Sequence, residues 1–208
     1  MTIRGLGTPS TTALVISECQ NGMTNPEHAT NKPLVEQVTK RRTIDNIAEL
    51  ADALRQLGVP IVHCTVAAYP DYRGWRANSL LSGVFTKRPL VEGHPSVEIH
   101  PKLAPQPGDY RVHRHVGLTA FHATELDQLL RNLGVSSIIM TGVSVNVAVT
   151  GSSLEAVNRG FSVVVPEDCV AGATDETHDF MLAHITRLLA TITTKDEIVS
   201  QLAAAVTA

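Results

Sequence analysis

The segment from Ser136 to Ala156, SSIIMTGVSVNVAVTGSSLEA, constrains the fold more than any other part of this chain. It begins with a short apolar run, Ile138 to Met140, which is typical of a buried strand. Thr141 and Gly142 follow, and a helix is predicted to begin near Asn146. Backbone N–H groups at the start of such a helix can hold a developing oxyanion. The segment therefore predicts an α/β fold and a candidate reaction centre within it.

The rest of the chain repeats this alternation of apolar strands and amphipathic helices. Further strands are predicted at 13–17, 60–66, 110–115, 161–165 and 190–193, and helices at 34–57, 125–132, 175–189 and 196–205. In the third of these helices Phe180, Ile185, Leu188 and Leu189 are expected to face the core. Alternating strands and helices indicate βαβ units, so we expect a three-layer α/β/α fold with a mostly parallel six-stranded sheet. Residues 1–208 are assigned to one domain with its core at about 11–195.

Composition and charge exclude several classes of protein. The 208 residues carry a net charge of −3, which gives no electrostatic basis for binding nucleic acid or an anionic membrane. No apolar run approaches the ~20 residues of a membrane-spanning helix, and the first residues contain no apolar signal core. Three widely separated cysteines suit a reducing compartment, so a cytoplasmic protein is expected. No G-x-G-x-x-G motif follows a predicted strand, which argues against a dinucleotide site.

Polar side chains follow the predicted strands at their carboxyl ends, where ligands bind in parallel sheets. These candidates are Glu18, Gln20, His63, Thr65, His113, His115, Thr141, Ser144, Asn146 and Asp168. Residues 67–109 are too long for an ordinary connection and contain the only tryptophan, Trp75. We expect this segment to be a binding loop, a lid or an oligomer contact.

Three stretches of sequence resemble those of one enzyme family. ALVISECQNGM at 13–23 is similar to a first-strand signature in which an Asp is followed by x-Gln-Asn. The stretches at 92–109 and 113–172 resemble the segment before the family's lysine strand and its central block. The likeness covers roughly residues 11–195, and the chain resembles the isochorismatase-like cysteine hydrolases. This resemblance implies an α/β/α fold, hydrolysis of a small molecule, and a homodimer or homotetramer.

The resemblance also implies a catalytic centre, which is altered in this chain. The family's trio is Asp, Lys and Cys, with two backbone N–H groups as the oxyanion hole. Carried over by position, the Asp site is Glu18, the Lys site is His115 and the Cys site is Ala148. Arg114 or His113 are the alternatives for the cation, because strand alternation puts His113 and His115 on one face and Arg114 on the other. Ala148 has no thiol, so the acyl-enzyme route is closed at this position.

Further residues are expected to bind the ligand around this trio: Gln20, His113, Ser144, Asn146, Val147 and Trp75. For some of these residues a purely structural role stays open. Glu18 could be held by backbone N–H groups or an arginine, His115 could be a structural hydrogen bonder, and Asn146 could cap the helix. The segment Gly142-Val-Ser-Val resembles one that holds a cis peptide, which is expected between Val143 and Ser144.

Two functions are compatible with these residues. The first is hydrolysis of a small molecule, with Glu18 as general acid or base and His115 as its electrostatic partner. Relatives that carry Gly at the Cys site and cleave a vinyl ether through their first-strand Asp show that a thiol is not essential. The second is a non-catalytic member that binds a small ligand or forms an oligomer. Neighbouring hydroxyls and thiols are not favoured as replacement nucleophiles: Ser144, Thr150, Ser152, Ser153, Cys19 and Cys64.

Neither a cofactor nor a metal is expected. The sequence His113-Arg-His115 could ligate a metal from one strand, but no third ligand is evident. Residues 63–71 lack the Asp-x-His spacing of relatives that hydrolyse nicotinamide with zinc. The expected partners are a small-molecule substrate or ligand and further copies of the chain, with no nucleic acid and no membrane.

Overall fold

A parallel sheet forms the centre of the chain in a computed structural model, which describes residues 2–206. Its strands are β1 (Thr12–Ser17), β2 (Ile61–Val66), β3 (Tyr110–Arg114), β4 (Ser137–Val143), β5 (Ser162–Pro166), β6 (Val170–Ala171) and β7 (Thr191–Thr193). They follow the order β3-β2-β1-β4-β5-β7, the short β6 pairs with β4, and every pairing is parallel. The predicted α/β/α fold and mostly parallel sheet are confirmed, with β6 as the additional strand.

Helices cover both faces of this sheet. They are α1 (Asn21–Thr24), α2 (Lys32–Lys40), α3 (Thr43–Gln56), α4 (Leu80–Phe85), α5 (Leu126–Asn132), α6 (Thr150–Asn158), α7 (Asp175–Phe180) and α8 (Lys195–Val206). Leu14 and Ile16 of β1 pack in a cluster with α2, α3 and α8, whereas Ala13 and Val15 pack in a second cluster with α5 and α6. Successive strand side chains point to opposite faces, so a continuous apolar run is buried on both. No helix within residues 2–206 is long and apolar enough to cross a membrane.

The helix predicted at 34–57 is two helices. α2 ends at Lys40, and α3 begins at Thr43 after Arg42 adopts a left-handed φ of +53°. Arg41 turns toward α7 and pairs with Asp175 at 2.8 Å. Apolar spacing does not record a change in helix direction, so the sequence did not predict this break.

The helix predicted at 175–189 is also interrupted. α7 ends at Phe180, and a π-helical turn at 181–185 and a 3₁₀ turn at 186–188 follow. Phe180, Ile185 and Leu188 are 54%, 37% and 76% exposed, so the expectation that they face the core is wrong. The side-chain period changes with the helix type after Phe180, and this change rotates Ile185 and Leu188 outward while Leu182 is buried.

Residues 67–109 fold back against the carboxyl ends of the strands. Two isolated bridges hold this segment there: Val91 pairs with Ala68, the second residue after β2, and Ile99 pairs with Gln20, which follows β1. The Gln20 side chain strengthens this tie: its Nε2 donates to the carbonyl oxygens of Val66 and Val97 at 2.9 and 2.6 Å. Its Oε1 accepts from the N–H of Val66 at 2.9 Å. The amide of Gln20 is thus engaged by the backbone, which corrects the expectation that it binds a ligand.

Candidate active site

A turn at the end of β1 positions Glu18. Its φ is +53°, a conformation that residues with a side chain rarely adopt and that is found disproportionately at functional sites. The N–H of Glu18 donates to the carbonyl oxygen of Cys64 at 2.9 Å, which fixes the turn against β2. The carboxylate lines a cavity at this edge of the sheet, although the side chain is only 8% exposed.

The adjacent strand β4 comes unusually close to this turn. Ser17 and Gly142 are register partners, and a Cβ at Gly142 would lie 2.0 Å from the carbonyl oxygen of Ser17. The φ of Gly142 is +102°, so both the space and the conformation require glycine. This approach brings Ser144 and the helix that follows it next to Glu18. The peptide bond between Val143 and Ser144 is cis, as expected.

Glu18 is paired with Arg114, the last residue of β3. Nη2 of Arg114 donates to Oε1 of Glu18, and the Arg114 side chain is 1% exposed. β2 lies between these two strands, so Arg114 reaches over the end of β2. Nε and Nη1 of Arg114 have no hydrogen-bond partner within residues 2–206. The carboxylate therefore faces a permanent cation that still has N–H groups available for another acceptor.

His115 does not lie beside Glu18, which corrects the expectation that it is the electrostatic partner. Its Nδ1 donates to the carbonyl oxygen of Ala67 at 3.0 Å, and its ring stacks on Tyr69 with centroids 4.2 Å apart. Alternation along the strand places Arg114 and His115 on opposite faces. Of the cations left open by the sequence, Arg114 is the one that contacts Glu18.

A cavity of about 90 Å³ lies in front of Glu18. Its polar wall consists of Glu18, Asn31, Arg88 and Ser144. Its remaining wall is apolar and consists of Met23, Leu34, Leu81, Phe85, Leu118, Val143, Val147 and Ala148. Pockets for drug-sized ligands measure roughly 300–1,000 Å³, so this cavity favours a small substrate. Four of the residues named by the sequence meet here: Glu18, Ser144, Val147 and Ala148.

The sequence profile of the isochorismatase domain matches residues 12–197. The chain belongs to the isochorismatase family. It is 30% identical over 162 residues to the uncharacterized isochorismatase family protein YaaI of Bacillus subtilis, with 77% of this chain and 83% of that protein covered. It is 25% identical over 195 residues to maleamate amidohydrolase of Pseudomonas putida, with 91% and 86% covered. The crystal structure of a cysteine hydrolase from Pseudomonas syringae pv. phaseolicola superposes with a TM-score of 0.85 at 23% identity, covering 98% of this chain and 97% of that chain.

This member of the isochorismatase family has no thiol in its cavity. Ala148 is 5% exposed and contributes only a methyl group to the wall. Cys19, Cys64 and Cys169 are buried, and none of them lines the cavity. Burial raises the pKa of all three thiols, that of Cys64 to about 12. The thiolate is the reactive form, so these cysteines are poor nucleophiles at neutral pH.

Most nearby hydroxyl groups are also engaged elsewhere. Thr150 donates to the carbonyl oxygen of Val145, and Ser153 donates to that of Val149. Ser152 accepts from the N–H of Ala120 at 2.9 Å. Among the hydroxyls weighed from the sequence, Ser144 is the one that lines the cavity.

Besides Gln20, three residues expected to bind a ligand do not line this cavity. Asn146 accepts from the N–H of Ala173 at 3.0 Å, and it lies inside the helix, whose N-cap residue is Ser144. Trp75 donates to the carbonyl oxygen of Ser82 and packs edge-on against Phe85, so it supports the wall from behind. His113 lies with His115 on the other face of β3.

Sequence reasoning missed Arg88, Asn31 and Phe85. Arg88 and Phe85 belong to the long segment 67–109, which has no periodicity that orients individual side chains. Asn31 precedes α2 and makes no capping hydrogen bond with its side chain. The one available signal was the length of the segment, which indicated a binding loop without naming its contacts.

We expect the Glu18–Arg114 pair to be a large contributor to stability. Arg114→Met leaves a buried carboxylate without its cation, and such a loss costs about 3–5 kcal/mol of the free energy of unfolding. The double variant Glu18→Gln/Arg114→Met should be more stable than Arg114→Met, because both charges are gone. Urea unfolding measures these differences. The matched control is Arg111→Met, because Arg111 is exposed on the same strand. This substitution should change the free energy of unfolding by less than ~0.5 kcal/mol. Equal losses at positions 111 and 114 would contradict a special role for the pair.

We expect the native protein to contain no reactive thiol and Ala148→Cys to introduce one. The new thiol would line the cavity, whereas the native cysteines are buried with raised pKa values. Modification by iodoacetamide at pH 7.5, followed by mass spectrometry, should label Cys at 148 alone. Ala156 is fully buried on α6. Ala156→Cys is therefore the control and should stay unmodified. Rapid labelling of a native cysteine would show that a thiol is accessible after all.

Proposed function

We propose that the protein is a hydrolase of a small carboxylate-bearing amide, in which Glu18 is the general base and no thiol takes part. One observation carries this proposal: Glu18 lines the cavity together with Ala148, where the resemblance places a cysteine. Among the described residues that line the cavity, Glu18 is the only one with an acidic side chain. Maleamate amidohydrolase, a relative by sequence, acts on an amide that also bears a carboxylate.

The arrangement supports direct attack by water. A water molecule held by Glu18 transfers a proton to the carboxylate as its oxygen bonds to the amide carbon. The carbonyl electron pair moves to the oxygen, which becomes an oxyanion. When this intermediate collapses, the C–N bond breaks, and the proton on Glu18 passes to the departing nitrogen. Arg114 keeps Glu18 oriented and supplies the fixed positive charge beside it.

The helix after β4 offers a place for the oxyanion. Ala148 lies in the first turn of the continuous helix 145–158, where backbone N–H groups point toward the open end. Preorganised N–H donors of this kind stabilise tetrahedral intermediates by several kcal/mol. A methyl at 148 leaves room for the attacking water in the volume that a thiol would fill.

Arg88 supports a substrate that carries a carboxylate. Its guanidinium is half-buried in the cavity wall, and no acidic side chain within residues 2–206 pairs with it. Burial lowers its pKa, which reflects the cost of keeping this cation without a partner. Tyr72 holds the backbone at this position by donating to the carbonyl oxygen of Arg88. A planar guanidinium binds a carboxylate through two parallel hydrogen bonds, so a substrate anion satisfies it.

Glu18→Gln should lower kcat/KM about 10²–10⁴-fold, because general base catalysis contributes that much. The assay follows ammonia release from maleamate and related half-amides, with isochorismate as a test of the vinyl-ether reaction. Glu36→Gln, an exposed carboxylate on α2, is the control and should leave the rate unchanged. Unfolding curves establish that both variants are folded. If the parent protein turns over none of these compounds, the non-catalytic alternative, a ligand-binding member, replaces this proposal.

Arg88→Met should raise KM for anionic substrates by about tenfold or more, since a charge-assisted pair contributes roughly 1.5–3 kcal/mol. Neutral amides of the same size should lose much less, because they have no carboxylate to pair. The matched control is Lys87→Met, an exposed neighbouring cation. An equal loss for neutral and anionic substrates would contradict the role of Arg88.

Self-association as a dimer or tetramer stays a prediction, which size-exclusion chromatography with light scattering tests.

A further inference from the structure

Three metal-ligating side chains meet on the face of β3 that points away from Glu18. Glu92, His113 and His115 each offer one ligand atom, and these atoms all lie within 4.8 Å of one another. The two imidazole rings are 4.8 Å apart between centroids, and Nδ1 of His115 is 3.7 Å from Oε1 of Glu92. The histidines alternate with Arg114 along the strand, so this cluster and the candidate active site occupy opposite faces.

Backbone pairing brings the third residue to the histidines. Val91 bridges to Ala68 at the end of β2, and the N–H of Glu92 donates to the carbonyl oxygen of Ala68 at 2.9 Å. Glu92 is therefore held beside the end of β3, although it lies 21 residues before His113 in the sequence. This separation explains why no third ligand was evident from residue spacing.

Both histidines are oriented as metal-bound histidines commonly are. Such histidines bind the metal with one ring nitrogen and use the other in a hydrogen bond to the protein. Nδ1 of His113 is 2.9 Å from Oγ1 of Thr65, and Nδ1 of His115 donates to the carbonyl oxygen of Ala67. Because Nδ1 of a neutral His115 carries the proton of this hydrogen bond, the lone pair that can bind a metal is on Nε2.

An unsatisfied atom also points to a missing ligand. Nε2 of His113 is buried and has no hydrogen-bond partner within residues 2–206. A buried polar atom without a partner is rare and costly in a folded protein.

We propose that Glu92, His113 and His115 bind one divalent transition metal ion of the zinc class. Two imidazoles and one carboxylate match the ligand types that Zn²⁺ prefers, with a fourth position left for water. Bond lengths of about 2.0–2.2 Å place tetrahedral ligand atoms roughly 3.3 Å apart, so ligand atoms that now lie within 4.8 Å of one another must approach by up to about 1.5 Å. Glu92 is exposed and has room to rotate inward.

A bound ion would fasten the long segment to the sheet. Glu92 follows Arg88 by four residues, and His113 and His115 flank Arg114. The ion would thus hold the segment that carries one wall of the cavity against the strand that carries the partner of Glu18. None of the three ligands lines the cavity itself.

Isothermal titration of EDTA-treated protein with ZnCl₂ tests the proposal directly, without any assay of hydrolysis. We expect one site per chain, and at least ~100-fold weaker binding in His113→Ala and in Glu92→Gln. Thr65→Val removes only the hydrogen bond behind His113 and should weaken binding about 10–100-fold. The control is His28→Ala, an exposed histidine outside the cluster, which should bind as the parent does.

Titration with Co²⁺ supplies a second readout, because its visible absorption reports the coordination geometry. The parent should show the intense bands of a four- or five-coordinate site at one equivalent, and the ligand variants should not. Unfolding curves in EDTA verify that each variant is folded before titration. Absence of stoichiometric binding in the parent, or equal binding by the parent and the ligand variants, would overturn the proposal. Either result leaves the proposed chemistry at Glu18 unaffected.

Discussion

The buried ion pair between Glu18 and Arg114 is the interaction on which the candidate site depends. Removing two charges from water costs free energy, and this cost is offset only when the two partners meet in good geometry. Parallel register supplies that geometry, because it brings the carboxyl ends of β1 and β3 to the same edge of the sheet. The residues that cover the pair also form the cavity in front of it. One interaction thus links the sheet, the covering segment and the candidate chemistry.

The close approach of β1 and β4 is the second constraint on the site. Gly142 leaves no space for a side chain against Ser17, so the following helix begins directly beside the carboxylate. This arrangement belongs to the scaffold and does not depend on the residue at 148. The first turn of this helix, with Ala148 in the cavity wall, keeps its place beside Glu18 whatever side chain stands at 148. Under our proposal, water activated by Glu18 takes over the role of the attacking group.

The end of β3 serves two faces of the molecule at once. Arg114 pairs with Glu18 on one face, whereas His113 and His115 point to the opposite face, where Glu92 joins them. The long segment contributes to both faces through Arg88 and Glu92. A change in this segment therefore reaches the substrate pocket and the proposed metal site together, which is why the two proposals need measurements that are independent of each other.

The sequence by itself determined the fold and the family, because strand alternation, apolar runs and short motifs are local patterns. It also determined that position 148 lacks a thiol and that Glu18 follows β1 at the edge where ligands bind in parallel sheets. Only the tertiary structure decided which cation meets Glu18, because Arg114 and His115 are neighbours in the chain and differ by the face on which they lie. Tertiary structure likewise decided that Arg88 reaches the cavity and that Glu92 joins the two histidines. These contacts join residues far apart in the chain, and their distances follow from strand order and segment packing, which local patterns do not encode.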